Sequence, residues 1–160
     1  MLTGIFSPTR CSECKLCCNF HRNTAWETPA LQPEQVFILQ EMCVPLEKRE
    51  DGTTSFYLHF TSDSPDEVAN CPMLDTCTGC TLPREQRPFE CRIWPLRIMK
   101  KSNRKLIGIY ENCPALSGNV FENLKSYAIS ELLPEILSYA TRNPEAIRDY
   151  DSSYKIIWSE

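Results

Sequence analysis

Cys11, Cys14, Cys17 and Cys18 stand at C-x2-C-x2-C-C spacing, and six more cysteines follow at positions 43, 71, 77, 80, 91 and 113. A thiolate is a soft donor suited to zinc, copper(I) or iron–sulfur clusters, and a C-x2-C step aims two sulfurs at one centre. The chain therefore reads as a cysteine-ligated metal protein. Its cysteines fall into two groups. The first is Cys11 to Cys18; the second is Cys71, Cys77, Cys80 and Cys91, with Cys113 further on. Zinc ribbons usually join their two pairs by about 15–20 residues. The stretch from Cys14 to Cys77 is far longer, so the second group must fold back over the first.

Two assignments stay open. C-x2-C-x2-C with a distant Cys113-Pro114 resembles ferredoxin-like ligation of a four-iron cluster. Alternatively the thiolates hold tetrahedral zinc, four sulfurs to each ion. Side chains of the adjacent Cys17 and Cys18 are expected to point different ways. That favours two centres or one polynuclear cluster over a lone ion, and the iron–sulfur cluster is preferred to zinc. Either centre carries net negative charge, which Arg87, Arg92 and Arg97, flanking Cys91, would offset. Cys77 and Cys80 compete as ligands. His21 is an alternative nitrogen donor, His59 reads as structural, and Cys43 reads as a buried small hydrophobe inside a helix.

The 160 residues are enough to bury a core as one domain over 1–160, with a metal core over about 11–118 and C-terminal helices over about 119–150. A net charge of −4 argues against nucleic acid, which demands a basic surface. The N-terminus shows no basic segment followed by an apolar run, and no stretch has the length of a membrane span, so a cytoplasmic chain without a membrane partner is expected. In that compartment ten cysteines imply metal or redox chemistry rather than disulfides. The neighbours at 17 and 18 also resist pairing with each other, since adjacent Cα atoms lie about 3.8 Å apart.

The elements that must position the thiols read as α+β: a small single domain of helices packed on β-hairpins, with cysteine-rich metal-binding loops. Residues 19–24 are polar and read as a loop. Pro33 and Glu34 suit the start of a helix over about 33–43. Asp51-Gly52 marks a hairpin between residues 44–50 and 53–60, and residues 61–70 form an acidic loop. A second hairpin turns at Ser102-Asn103, with Pro95 at an edge or bulge. Val120, Phe121, Leu124, Ala128, Leu132 and Ile136 trace an amphipathic stripe that Pro134 should kink or divide. Asn143-Pro144-Glu145 opens a last short helix.

Taken together, Cys11-x2-Cys14-x2-Cys17-Cys18, Cys71-Pro72-Met73-Leu74, Cys80, Arg87-Pro88-x2-Cys91-Arg92-x2-Pro95 and Cys113-Pro114 resemble the CxxCxxCC cysteine-cluster family (YkgJ type) over residues 11–118. That family is described as zinc- or iron-chelating, and its domain is similar to the cysteine-rich part of flagellin lysine N-methylase. The resemblance implies Cys11, Cys14, Cys17, Cys18, Cys71, Cys80, Cys91 and Cys113 as the metal ligands. This chain departs from the family at Leu82-Pro83, where an Ile-Tyr pair is usual, and in carrying Cys77.

The expected function is metal binding through a cysteine-thiolate cluster, iron–sulfur ahead of zinc, in a structural or metal-handling role, with a protein partner also admitted. The alternative is an enzyme or enzyme subunit using the centre in redox or protein-methylation chemistry. No dinucleotide fingerprint, P-loop, nucleophile elbow or zinc-hydrolase helix is present, so no catalytic residue is assigned. Cys77-x2-Cys80 lacks the βαβ setting of a thioredoxin-like dithiol.

Overall fold

The computed structural model describes residues 2, 5, 6 and 13–160. The fold is α+β, and the chain gathers into two compact units: Thr9–Arg92, and Met1–Pro8 with Ile93–Glu160. Among the described residues no helix is long and apolar enough to cross a membrane. Cys11 lies outside the described residues.

In the unit Thr9–Arg92, a 3₁₀ turn at Leu16–Cys18 leads straight into β1 (Asn19–His21) and a second 3₁₀ stretch at Arg22–Glu27. The polar run expected as a loop is thus ordered, because it has a distant partner. Strand β1 pairs antiparallel with Val68–Asn70, in the register Asn19↔Asn70, Phe20↔Ala69 and His21↔Val68. Alternation places Phe20 and Ala69 inward, at 6% and 3% exposure.

Helix α1 (Pro33–Glu41) starts where the sequence indicates. Gln32 and Gln35 exchange side-chain-to-backbone hydrogen bonds, and Pro33 occupies the first turn, where its missing N–H costs nothing. The helix ends in a Schellman arrangement: the Cys43 N–H donates to Gln40 O at 2.9 Å and the Val44 N–H to Leu39 O at 2.9 Å. Cys43 takes the left-handed position there, with φ +56°, and is exposed. It is therefore a helix-stop residue rather than the buried small hydrophobe that its apolar neighbours suggest.

Strands β2 (Leu46–Lys48) and β3 (Thr54–Phe56) make the hairpin signalled by Asp51-Gly52, with Gly52 at φ +84°. The acidic loop that follows is organised by Glu67. Its carboxylate accepts the Thr61 and Ser62 N–H and hydroxyl groups, the Thr61 N–H weighing most, and is held down at about 2. It leads into β4 (Val68–Asn70), the partner of β1. β5 (Leu74–Asp75) and β6 (Gly79–Cys80) form a tight hairpin, and α2 (Phe89–Ile93) follows. Phe20, Leu31, Leu39, Phe56, Leu58, Ala69, Cys71, Met73 and Leu82 form the core of this unit.

The second unit is built on a four-stranded sheet. β7 (Leu96–Lys101) and β8 (Arg104–Tyr110) are joined by Ser102 and Asn103, both at positive φ, as a two-residue type I′ hairpin requires. Pro95 falls just before β7, after a cis peptide bond to Trp94, and its carbonyl accepts the Tyr110 N–H at 3.0 Å. Gly108 has no room for a side chain: an added Cβ would meet Met99 at 2.8 Å and Tyr154 at 2.9 Å. The apolar stripe forms α3 (Val120–Tyr127) and α4 (Leu133–Arg142), separated by a π turn at Ala128–Leu132 just before Pro134. Leu124 and Ile136 on that stripe are fully buried.

Residues 144–146 make only a 3₁₀ turn, where a helix is expected. Helix is expected up to about residue 150 and no element after it, yet β9 (Arg148–Asp149) pairs parallel to β7 and β10 (Tyr154–Ser159) pairs antiparallel to β8. The run Tyr154-Lys155-Ile156-Ile157-Trp158 is rich in aromatic and β-branched residues, which is the signal for that strand.

The left-handed position of Cys43 gives a stability prediction. Cys43→Gly should raise unfolding stability by about 1 kcal/mol, because glycine adopts this conformation without a Cβ clash, whereas Cys43→Ala should gain nothing. Urea midpoints of the three proteins decide it. Equal midpoints for glycine and alanine would mean that the site is unstrained.

Candidate functional site

Three pieces of local structure bring thiols together within the unit Thr9–Arg92. The first is the turn before β1. Lys15 adopts φ +54°, and its carbonyl accepts the Cys18 N–H at 2.9 Å, closing the 3₁₀ turn Leu16–Cys18. In a strand, neighbouring side chains point to opposite faces, but a 3₁₀ turn separates them by only about 120°. The Cys17 and Cys18 sulfurs consequently stand 3.9 Å apart. The expectation that the two side chains point different ways is not met, and this turn is the reason.

The second piece is the β1–β4 ladder, which continues one pair further as the Cys71 N–H donates to Cys18 O at 2.8 Å. The Cys71 thiol also stands close enough to Cys18 to raise its pKa. The third is the β5–β6 hairpin with the segment after it. Asp75 Oδ1 accepts the Cys77 N–H at 2.9 Å and the Thr78 N–H at 2.7 Å, shaping the tip, and Gly79 at φ +88° turns the chain into Cys80. The register Leu74↔Cys80 then fixes Cys80 beside the Cys71–Leu74 turn. Lys15 Nζ donates to Thr76 O, tying the first piece to the third.

Cys91 is positioned from α2. The neighbouring Glu90 is buried, and its Oε1 accepts the Ala30 N–H at 2.8 Å. Residues 28–30 are in turn fixed by the buried Ser55, which donates to Pro29 O at 2.9 Å, and by Arg49, which donates to Thr28 O at 2.8 Å.

The result is a cavity of about 50 Å³ lined by Cys17, Cys18, Cys71, Cys80, Cys91 and Arg87. Phe20, Phe56, Met73 and Leu82 wall it, with Pro29 and Pro88. Its volume suits an ion or a few waters and is far below the roughly 300–1,000 Å³ of pockets that enclose organic ligands. Arg87 is the only charged side chain among the described lining residues. Its Nε donates to Leu82 O at 3.0 Å and its Nη2 to Cys80 O at 3.3 Å.

The thiols crowd one another. Cys17 is pushed well up, first by its hydrogen bond with Cys18, then by burial and the neighbouring sulfur's charge, with Arg87 pulling the other way. For Cys18 the hydrogen bond with Cys17 lowers the value. The neighbouring Cys71 thiol, burial and the Cys71 and Cys80 charges outweigh it and push the thiol up to about 12. Cys91 is raised by burial first, then by the charges of Cys17, Cys18, Glu90 and Cys80. Cys17 and Cys91 each keep an outer surface open to solvent while protein atoms enclose their sulfurs.

The other expected site residues are not among the described lining residues. Cys14 is half-buried and is not among the lining residues, and Cys77 is exposed on the hairpin tip. Cys113 is buried in the other unit. His21 is exposed, with Nδ1 3.2 Å from Asp66 O, and His59 is exposed beside the Tyr57 ring. Arg92 lies over the Phe89 ring, and Arg97 is buried in the other unit, where its Nε donates to the Tyr154 hydroxyl at 3.1 Å. Among the described residues no group of three or more His, Cys, Asp or Glu side chains stands at ready-made ion-binding geometry. The wall residues Phe20, Met73 and Leu82 carry no chemical signal of their own in the sequence; only their proximity to cysteines marks them.

Comparisons with protein-family models, curated proteins and solved structures find no match. The resemblance to the CxxCxxCC family therefore rests on its cysteine and proline motifs alone.

The raised thiols fix a pH dependence for the metal-free protein. Unfolded cysteines ionise near 9, whereas Cys18 in the fold holds its proton up to about 12. Between these values the unfolded chain binds fewer protons, so stability falls as pH rises through that window. With metal stripped by a chelator, urea midpoints should drop from pH 9 upward, and Cys18→Ser should show a shallower drop. A parallel drop in the two proteins would contradict the crowding.

Proposed function

We propose that the chain binds a metal ion through four of the five thiolates of Cys17, Cys18, Cys71, Cys80 and Cys91, Cys17 and Cys18 among them, as a member of the CxxCxxCC class. The observation that carries this reading is the convergence of five cysteines, drawn from four separate segments, on one small apolar cavity. The donor set fits the group: among the described lining residues there are soft sulfurs, apolar walls and one cation, with no oxygen or nitrogen ligand side chain to favour a harder ion. A bound divalent ion would supply positive charge among sulfurs that otherwise hold their protons.

One tetrahedral ion suits Cys17 and Cys18 better than a four-iron cluster. Sulfurs bound about 2.3 Å from tetrahedral zinc lie about 3.8 Å from one another, close to the 3.9 Å between these two. A four-iron cluster takes its thiolates on separate irons, which suits sulfurs standing further apart. Zinc thus moves ahead of iron–sulfur in this reading. The C-x2-C-x2-C run of Cys11, Cys14 and Cys17 remains the feature that favours the cluster.

The role is metal handling rather than catalysis. Cys17 and Cys91 lie at the protein surface, which keeps the path for an ion into the cavity short. Among the described lining residues only the thiols and Arg87 are chemically active, so redox or methyl-transfer chemistry would need groups from outside the cavity. The unpaired thiols at Cys14, Cys17, Cys18, Cys71, Cys77, Cys80 and Cys91 suit a reducing compartment such as the cytoplasm.

The test is elemental analysis after anaerobic purification. Wild-type protein should carry stoichiometric zinc and be colourless, and Cys91→Ser and Cys18→Ser should lose the metal. Cys77→Ser should keep it, since that thiol sits on the hairpin tip. A brown protein with iron and sulfide would replace zinc by the cluster. A metal-free wild type, or metal loss on Cys77→Ser alone, would overturn the assignment.

A further inference from the structure

We infer that Arg87 is the positioning and charge-compensating residue of the thiol cavity, coupling the Cys80 strand to the segment that carries Cys91. The inference rests on the metal-binding reading above and names the group outside the ligand set on which that site depends.

Three arginines flank Cys91 in the sequence, and by charge alone they are equivalent. The structure separates them. Arg97 belongs to the other unit and donates to the Tyr154 hydroxyl. Arg92 stacks over Phe89, its guanidinium 5.6 Å from the ring centroid. Of the three, only Arg87 lines the cavity, and every other described lining residue is a cysteine or carries no charge.

Its guanidinium is held by two backbone carbonyls, Leu82 O at 3.0 Å and Cys80 O at 3.3 Å. This fork has two consequences. It fixes the strand that presents Cys80 against residues 87–91, so two thiols from different segments keep their spacing. It also holds a permanent cation beside the sulfurs, within walls of low polarity where a charge acts strongly. Several thiolates around one divalent ion leave net negative charge, and a fixed guanidinium offsets part of it. Lysine would keep the charge but lose the planar fork that reads two carbonyls at once.

Cobalt(II) titration of the intact protein tests this, because sulfur-to-cobalt charge-transfer absorption reports thiolate ligation directly. Arg87→Gln should bind about 10- to 100-fold more weakly than wild type, the usual cost of removing an outer partner of a metal ligand. The shape of its absorption band should stay unchanged, since the thiolates are the same. Arg87→Lys should fall between the two, and circular dichroism should show both variants folded. If Arg87→Gln does not fold, Arg87→Lys decides: several-fold weaker binding supports the inference and wild-type affinity overturns it. Wild-type affinity in a folded Arg87→Gln overturns it outright, and so does a lysine variant no better than glutamine. A wild type that takes up neither cobalt nor zinc fails differently. It removes the metal reading itself and this inference with it.

Discussion

Five thiols around one apolar cavity cannot all ionise unless a cation stands among them. Like charges at separations such as the 3.9 Å between Cys17 and Cys18 repel strongly where water is excluded, and burial alone disfavours each thiolate. The metal-free site resolves this by keeping its protons, as the raised values of Cys17, Cys18 and Cys91 record. A divalent ion bound among the sulfurs, as proposed, would resolve it in the other direction, since metal-ligating thiols are deprotonated. Arg87 alone is too little to do so: its pull on Cys17 ranks below the Cys18 hydrogen bond, burial and the neighbouring sulfur's charge.

The surrounding unit is arranged to hold that crowding in place. Three of its polar bonds bear on the thiols at one remove: Glu90, next to Cys91 in the chain, on Ala30, Ser55 on the cavity-lining Pro29, and the Cys18–Cys71 backbone bond at the end of the β1–β4 ladder. Their partners lie far apart in the chain, so the site forms only when the fold does. Losing any one of them would leave a buried donor or acceptor without a partner, which costs about 1–3 kcal/mol.

Local signals in the sequence were legible where the physics is local. Pro33 and Gln32 start a helix, Asp51-Gly52 and Ser102-Asn103 turn hairpins, and Pro134 breaks the apolar stripe at the π turn. What could not be read depends on distant pairing or on backbone conformation. Asn19–His21 is polar and becomes a strand only because Val68–Asn70 reaches it. Cys43 looks like a helix-core residue until the left-handed stop is seen. The same holds for the site: the cysteine spacing indicated a metal, but the common direction of Cys17 and Cys18 follows from Lys15 at φ +54°, a conformation that lysine does not advertise. By contrast, the C-terminal strand was available in Tyr154–Trp158 from residue types alone.

X-ray absorption at the metal edge of the anaerobically purified protein bears most directly on the central claim that sulfurs converge on one ion in this cavity. The account predicts a zinc edge with a sulfur shell near 2.3 Å and no metal–metal scattering. A first shell of oxygen or nitrogen, or short iron–iron scattering in its place, would contradict it.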